Sequence, residues 1–480
     1  MGPSVRVRAA HLLERTIFCG LLALIPLAAL PYGTVQPWWE AAFECAVFML
    51  AALWVIESNL SAVWRISGGR MLTPLVAIII FAIVQTLPLW GAAPAPGIQG
   101  EVGRTLSADP YETRRFVYKL IALVLAGELL LRYTSSRQRL RALIYTVIGV
   151  GVASALFGIV RQTVQHDSPG FVLPHLMPDV GYGQFINRNH FPFLMEMALG
   201  LTLGLIVGGG VKRERLLICL AAAVPVWAAL VLSNSRGGIL SMLSQLLFIA
   251  LLLGTVRQRR ELPEQTGGAG GRLSRLGGSP FVRVLLVACL LMAVTLSTVW
   301  MGGDPLASRL ESESVSSELN LQRADSRPKI RRIDMWRATW QLFKAHPVAG
   351  VGFGGYWLAV PEHFVYSGKR ELQQAHNDYL EALASGGLIG GVLGAWFLIA
   401  FIRSARERLR SKDAFRRAAC FGALAGLFGV AVHSLVDFGL HITINALILV
   451  ALVVIATADE RVEKRLLRRG DPARSWPGTT

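Results

Sequence analysis

The sequence predicts an all-α, polytopic membrane protein with about 12 transmembrane helices, since apolar runs near the ~20 residues needed to cross a bilayer recur along it. Hydrophobic residues make up 53% of the 480 residues, and the mean hydropathy is +0.48. Such a composition excludes an ordinary soluble enzyme. The predicted spans lie near residues 17–31, 38–57, 72–90, 116–131, 142–160, 191–211, 216–232, 237–256, 281–301, 379–402, 414–435 and 440–458.

The basic residues predict how these spans are oriented. Of the 48 Lys and Arg residues, 31 fall in the connections on one side of the membrane, including both termini. The other side has 17, of which ten lie in the long connection 302–378. Because Lys and Arg are enriched in cytoplasmic loops, both termini of this inner-membrane type of protein are predicted to be cytoplasmic. The net charge of +17 therefore indicates topology and not nucleic-acid binding.

Four regions follow from this topology. Residues 1–301 are predicted to form transmembrane helices 1–9, and 302–378 a periplasmic loop containing an amphipathic helix. Residues 379–458 are predicted to form transmembrane helices 10–12, and 459–480 a basic cytoplasmic tail. Within the first region, the Gly-rich stretch 261–280 is predicted to be a flexible linker without chemistry. The basic start of the chain precedes no convincing cleavage site, so the first span is expected to be retained.

The second half of the predicted periplasmic loop has two distinct parts. An amphipathic helix suited to a membrane interface is predicted there, with apolar residues at helical spacing and basic residues on the other face. The following VAGVGFGGYW is rich in glycine and is predicted to be flexible, so that backbone can approach a ligand. The apolar set is Ile333, Trp336, Trp340 and Phe343, and the basic set is Arg331, Arg332, Arg337 and Lys344.

A polar His-Asn-Asp cluster stands where the next apolar span begins. Asp378 is predicted to cap the helix, with Glu381 completing a capping box. His376 is the candidate general base, because the positive end of a helix dipole favours the neutral imidazole that accepts a proton. Asn377 is expected to orient that ring or a sugar hydroxyl. Three glycines at intervals of four, Gly386, Gly390 and Gly394, predict a helix face that a second helix approaches closely.

Two arginines on the external side have no topological reason to be there. Arg188 lies in FINRNHF and Arg236 in SNSRGG, each in a turn that leads into a helix. A guanidinium in such a turn can hold a phosphate group through two hydrogen bonds, and a helix N-terminus adds backbone donors. The alternative is that each arginine reaches lipid headgroups or caps a carbonyl. The neighbouring polar residues predicted to support the site are Asn187, Asn189, His190 and Ser235.

No metal or other cofactor is expected. The chain has no Asp-x-Asp motif, and its first external loop contains no carboxylate. Its five cysteines lie in apolar stretches without a Cys-x-x-Cys pair, so neither disulfides nor a zinc site are predicted. Glu128, Glu196 and Asp437 fall in or beside spans and need partners or a polar cavity, which leaves either a proton path or helix packing.

Four segments in order resemble the O-antigen ligase and O-antigen or exopolysaccharide polymerase family of bacterial membrane glycosyltransferases. Ser385 departs from the family pattern, which has Glu before the glycines. The matching residues are Asn187 to Phe191, Ser233, Ser235, Arg236 and Gly237, the stretch Met335 to Tyr356, and His376, Asn377, Leu380, Gly387 and Gly390.

The resemblance implies transfer of a glycan from a polyprenyl diphosphate carrier to an acceptor hydroxyl at the periplasmic face. Arg188 and Arg236 would hold the diphosphate and His376 would activate the hydroxyl, without a metal and with inversion. The acceptor is either a lipid A core, as for a ligase, or the next lipid-linked repeat unit, as for a polymerase. A flippase or transporter of lipid-linked glycan is the alternative of another class, although the two halves of the chain share no motif.

Overall fold

The computed structural model describes residues 3–89, 92–94, 101–134, 136–165, 170, 172–177, 181–258, 332–364 and 372–458. The predicted ninth span at 281–301, the linker 261–280, the first part of the long loop and the tail 459–480 lie outside these residues.

The described chain is helical apart from one small antiparallel hairpin. The hairpin pairs β1 (Ala92–Pro94) with β2 (Glu101–Gly103). A one-turn helix, Tyr356–Ala359, and two 3₁₀ segments, Val360–His363 and Gly439–His441, complete the regular structure. The helices are α1 (Pro3–Ala29), α2 (Pro37–Ser61), α3 (Gly69–Gln85), α4 (Pro110–Tyr133), α5 (Arg137–Val164), α6 (Phe191–Val207), α7 (Arg213–Leu232), α8 (Arg236–Gln258), α9 (Arg332–Ala345), α10 (Asp378–Leu409), α11 (Ala414–His433) and α12 (Thr443–Thr457).

Each predicted span that falls within the described residues coincides with one of these helices. Six of them, α1, α2, α5, α7, α10 and α11, are long and apolar enough to cross a membrane. Four more, α3, α6, α8 and α12, are apolar but shorter. Helix α4 is more polar and contains Lys119 and Glu128. The predicted all-helical membrane architecture is therefore confirmed.

Helix α6 is the centre of the described bundle, and each of its residues is buried. It packs along α11 through small residues, so closely that a Cβ on Gly204 would overlap the backbone of Gly422. Gly200 meets Gly426 in the same way one turn away. The close glycine contact between helices therefore lies here and not at the predicted face of α10, where a Cβ on Gly394 would have no neighbouring atom within 4 Å.

Helix α8 is fixed to this pair by polar side chains. The amide nitrogen of Gln245 donates to the carbonyl oxygens of Glu196 in α6 (2.9 Å) and Ala425 in α11 (3.0 Å). The hydroxyl of Ser241 donates to the carbonyl oxygen of Gly429 (2.5 Å). Because buried polar groups of this kind tolerate little misalignment, these contacts hold the three helices in register with one another.

Helix α10 is interrupted at Gly387, whose φ of 60° and ψ of −162° are not helical. The chain just after α9 fills the break. The Leu388 N–H donates to the Pro347 carbonyl (2.8 Å), and the Gly352 N–H donates to the Ser385 carbonyl (2.9 Å). The Gly-rich stretch is therefore packed against α10, while its approach to a ligand stays a prediction. Its glycines permit close approach to protein backbone, as at Gly350, where a Cβ would overlap Ser385.

Substitution Gly387→Ala is expected to lower the thermal unfolding temperature of the detergent-solubilised protein. Only glycine readily adopts this conformation, which costs another residue about 1–3 kcal/mol, and the added Cβ would overlap the Val348 carbonyl oxygen. Gly394→Ala is the matched control in the same helix, since nothing lies within 4 Å of its Cβ position. An unfolding temperature for Gly387→Ala equal to that of the control would contradict this account of the break.

The amphipathic helix appears as α9, and one of its faces is buried within the protein. Ala338, Thr339 and Leu342 are buried, and Ala338 and Leu342 pack in one cluster with Val351, Tyr356 and Val360. Two residues of the predicted apolar face, Ile333 and Trp340, remain 50% and 47% exposed. The location of the exposed face at a membrane interface stays a prediction.

Candidate functional site

The turn between α11 and α12, residues 434–442, is the centre of the candidate site, and we call it the Asp437 turn. The Asp437 side chain is 1% exposed. Its Oδ1 lies 3.3 Å from Nδ1 of His376 and accepts a hydrogen bond from the Phe438 N–H (3.0 Å). Its Oδ2 lies 3.4 Å from the guanidinium of Arg332, at the start of α9. The candidate base therefore has a buried acidic partner.

The Nδ1 atom of His376 lies within hydrogen-bond distance of Oδ1 of Asp437, but the two groups are not aligned for a hydrogen bond. In the tautomer with the proton on Nδ1, next to this carboxylate, Nε2 is the proton-accepting atom. Burial alone would raise the pKa of Asp437. The contact with His376, the neighbouring His190 and the Phe438 N–H outweigh burial and lower this pKa below its ordinary value. Asp437 is therefore a carboxylate at neutral pH.

The helix behind His376 is capped differently from the prediction. Asn377, and not Asp378, is the N-cap, and its Oδ1 accepts hydrogen bonds from the N–H groups of Tyr379 (3.1 Å) and Leu380 (3.0 Å). Asp378 instead accepts a hydrogen bond from the Ser434 hydroxyl (2.7 Å), which ties α10 to the Asp437 turn. Asn377 can cap because its backbone is extended, with φ −163° and ψ 103°.

Glu381 does not complete a capping box but holds the chain that leads to His376. Its Oε2 accepts a hydrogen bond from the Ala375 N–H (2.7 Å). The Gln374 amide nitrogen, in its hydrogen-bonding orientation, reaches both carboxylate oxygens (2.5 and 3.0 Å). The indole of Trp336 in α9 donates to the His376 carbonyl oxygen (3.4 Å). These contacts fix His376 at a φ of 51°, a conformation that is uncommon for a residue other than glycine.

The predicted segment 187–190 reaches the same turn through His190. The rings of His190 and His376 each pack edge-to-face with the ring of Phe438. The distance between ring centroids is 4.6 Å for the buried His190 and 4.7 Å for His376. Asn445 of α12 donates to the His190 carbonyl oxygen (3.0 Å). Asn187 shapes the turn, since its Oδ1 accepts from the Asn189 N–H (2.9 Å).

His190 supports the site as an uncharged ring. Burial lowers its pKa to about 4, with the nearby His376 and His433 acting in the same direction and Asp437 opposing them. The imidazole is therefore neutral at physiological pH. Its role is to pack against Phe438, which separates it from His376.

The segment 233–238 lies against the start of the Asp437 turn. The Ser235 hydroxyl accepts a hydrogen bond from the Gly238 N–H (3.3 Å), which caps α8. A Cβ on Gly237 would lie 2.7 Å from Nε2 of His433 and 3.1 Å from the Val436 side chain. Glycine is required there because the first turn of α8 touches α11. Arg236 itself is exposed at the first position of α8.

The structure thus brings the three predicted segments, around Arg188, Arg236 and His376, together at one end of the bundle. What the sequence analysis missed is the element that joins them. Asp437 lies in a short turn between His433 and His441, at intervals of four, and this pattern of titratable residues after a span was the available signal. Phe438 carried no comparable signal.

The other membrane carboxylates are engaged in packing contacts. Glu128 accepts hydrogen bonds from the N–H groups of Ser67 and Gly68, where α3 begins. Glu196 and His433, both fully buried, are joined by a 2.8 Å contact between Oε1 and Nδ1. These separate pairs favour helix packing over a proton path through the membrane.

Residues 221–395 match the family model described as O-Antigen ligase (Wzy_C). The matched range contains Arg236 and His376, whereas Arg188 and Asp437 lie outside it. No curated protein matches the chain. The match confirms the resemblance to the O-antigen ligase family and supports a membrane glycosyltransferase-like function.

Proposed function

From the match to the O-antigen ligase family, we propose that the protein transfers a glycan from a polyprenyl diphosphate carrier, such as undecaprenyl diphosphate, to an acceptor hydroxyl. The reaction inverts the anomeric centre and needs no metal. The observation that carries this proposal is the pairing of His376 with the buried carboxylate of Asp437 (3.3 Å), where the segments of Arg188 and Arg236 meet.

His376 acts as general base in this proposal. Its Nδ1–H is directed to Asp437, and Nε2 accepts the proton of the acceptor hydroxyl. The hydroxyl oxygen then forms a bond to the anomeric carbon while the bond from that carbon to the carrier diphosphate breaks. Attack from the face opposite the diphosphate gives inversion. Asp437 fixes the imidazole tautomer and stabilises the imidazolium that forms, without taking the proton itself.

Arg188 and Arg236 bind the diphosphate. Negative charge grows on the leaving group as the glycosidic bond breaks, so guanidinium groups held in place stabilise the transition state more than the ground state. Arg236 is the first residue of α8, and Arg188 lies three residues before α6 begins. The N-terminal dipoles of both helices therefore add a favourable field for an anion. Asn187, Asn189, His190, Ser235 and Asn377 hold the geometry of these segments.

We also propose the topology that the basic residues indicate. Twelve spans cross the bacterial inner membrane, both termini are cytoplasmic, and the candidate site lies on the periplasmic side. The regions are then 1–301, the periplasmic 302–378, 379–458 and the cytoplasmic 459–480. In this topology α6, α8 and α10 each follow a connection on the periplasmic side, so their starts should lie on the same side of the membrane. In support, these three starts meet at one end of the bundle.

The transfer reaction is tested with purified protein in lipid nanodiscs and a lipid-linked repeat unit. Ladders of product from this donor alone indicate a polymerase, whereas product that requires added lipid A core indicates a ligase. Movement of intact lipid-linked glycan across the bilayer without any new glycosidic bond would instead support the flippase alternative and contradict the proposal.

Substitution Arg236→Lys is expected to reduce kcat/KM of transfer by roughly tenfold or more, because an ammonium group cannot reproduce the two-pronged contact of a guanidinium with a diphosphate. Initial rates at varied donor concentration measure the effect. Arg213→Lys is the matched control, since Arg213 is likewise exposed at the first position of its helix, α7. Equal activity of the two variants would remove Arg236 from the diphosphate site.

A further inference from the structure

A cavity of about 870 Å³ adjoins the candidate site on the α4 side. Its wall includes the starts of α2, α4 and α10, together with the chain around Phe353 to Trp357. Asp378 and His441 line it, and both also contact the elements that hold His376. The volume lies within the range of about 300–1,000 Å³ typical of small-molecule sites. The transfer mechanism proposed above assigns this cavity no role.

The charges of the cavity argue against a diphosphate ligand. Its two basic side chains are neutralised within the wall: Arg115 contacts Glu112 (2.8 Å) and Glu40 (3.3 Å). Lys119 contacts Glu40 (2.5 Å) and donates to the His441 carbonyl oxygen (2.7 Å). Asp378 and Glu381 add two further carboxyl groups to the lining. A dianion gains little from cations that are already paired with carboxylates.

The remaining lining chemistry suits a hydroxyl-rich molecule with apolar faces. Trp357 is 44% exposed, and its indole N–H is fixed by Asp109 at 3.2 Å, which orients the ring. Gln373 supplies an amide donor and acceptor, and Gln374 supplies its amide oxygen as an acceptor. Phe116 and Phe353 stack at 4.8 Å and form an apolar part of the wall. A flat aromatic ring next to amides and carboxylates complements the C–H face and the hydroxyl edge of a sugar.

We propose that this cavity binds an uncharged saccharide segment of a glycan substrate, next to the sugar that reacts at His376. The inference rests on the proposed transferase function and assigns a second subsite to it. Because the diphosphate is held by other segments, the acceptor glycan is the expected occupant. The donor glycan beyond its first sugar is the other source of the same chemistry.

The test uses full-length Trp357→Ala protein in nanodiscs. KM for the acceptor is expected to rise roughly tenfold, with kcat within about twofold, since the loss of one stacking contact weakens binding without touching the reacting atoms. A rise in KM for the donor alone would assign the cavity to the donor glycan. Trp357→Phe, which keeps a ring, is expected to restore most of the affinity. Trp396→Ala, a 45% exposed tryptophan of α10 outside the cavity, is the matched control.

A direct measurement separates failure of this proposal from failure of the transferase. Binding of the free repeat-unit oligosaccharide, without lipid or phosphate, is followed by saturation-transfer NMR on protein and on Trp357→Ala. Binding that depends on Trp357 and is not displaced by inorganic pyrophosphate supports the saccharide site, whether or not transfer occurs. Normal KM values in Trp357→Ala, or displacement by pyrophosphate, would overturn it even if transfer is robust.

Discussion

Replacement of His376 by Asn is expected to reduce kcat for glycan transfer by about 10²–10⁴-fold, the usual contribution of a general base. Asparagine is a better replacement than alanine, because it tolerates the φ of 51° that His376 adopts and so preserves the backbone conformation. The amide cannot take the proton of the acceptor hydroxyl. Single-turnover rates with saturating lipid-linked donor measure the loss.

Donor binding and the fold are expected to survive this substitution. The diphosphate is held by other residues, so the affinity for the lipid-linked donor should change by less than about threefold, within ordinary context effects. His346→Ala is the matched control, since His346 is an exposed histidine at the end of α9 and outside the candidate site. Transfer by His376→Asn at the rate of this control would eliminate His376 as the base.

The helical architecture could be predicted because it depends on composition that is local in the chain. Apolar runs such as 191–211 need no knowledge of their neighbours to be recognised as spans. Which helices touch is a different matter. Gly200 and Gly204 in α6 and Gly422 and Gly426 in α11 have the same spacing as Gly386 and Gly390 in α10, but only the first set meets another helix closely. Spacing alone does not reveal the partner.

The break in α10 shows why backbone detail escaped prediction. The glycines around Gly387 are compatible with a continuous helix, and only the chain from Pro347 to Gly352 makes the interruption possible by supplying replacement hydrogen bonds. The capping error has a similar origin. Asp378 and Asn377 are both good caps by residue type, and the Ser434 hydroxyl, contributed by a distant turn, engages Asp378.

Among the residues of the site, His376, Arg188 and Arg236 were recognisable because each stands out in its own segment. Asp437 was recognisable only as a costly carboxylate near a membrane. Its role depends on its 3.3 Å contact with His376, which lies at the start of another helix, α10. The packing of α10 against α11 produces that contact. The sequence therefore indicated the candidate base, whereas only the structure indicated its acidic partner.

Substitution Asp437→Asn tests this partnership and is expected to lower kcat by roughly 10²-fold, within the range for general acid–base groups. The shape of the side chain is kept, but the negative charge that stabilises the imidazolium is lost. The Asn amide nitrogen can also donate to Nδ1, which favours the tautomer with its proton on Nε2 and removes the accepting atom. Because the pKa of Asp437 lies below its ordinary value, the wild-type carboxylate is ionised throughout a neutral assay.

The split between kinetic constants distinguishes a positioning role from a general loss of structure. Asp437 acts through His376, so kcat should fall while KM for donor and acceptor stay within about threefold, as expected for an interaction made only in the transition state. Glu407→Gln removes an exposed carboxylate at the far end of α10 and serves as the control. The double variant Asp437→Asn, His376→Asn should be no slower than His376→Asn alone, since the carboxylate has no function without the imidazole. Additive losses in that double variant would show that Asp437 acts on the substrate directly and not through His376.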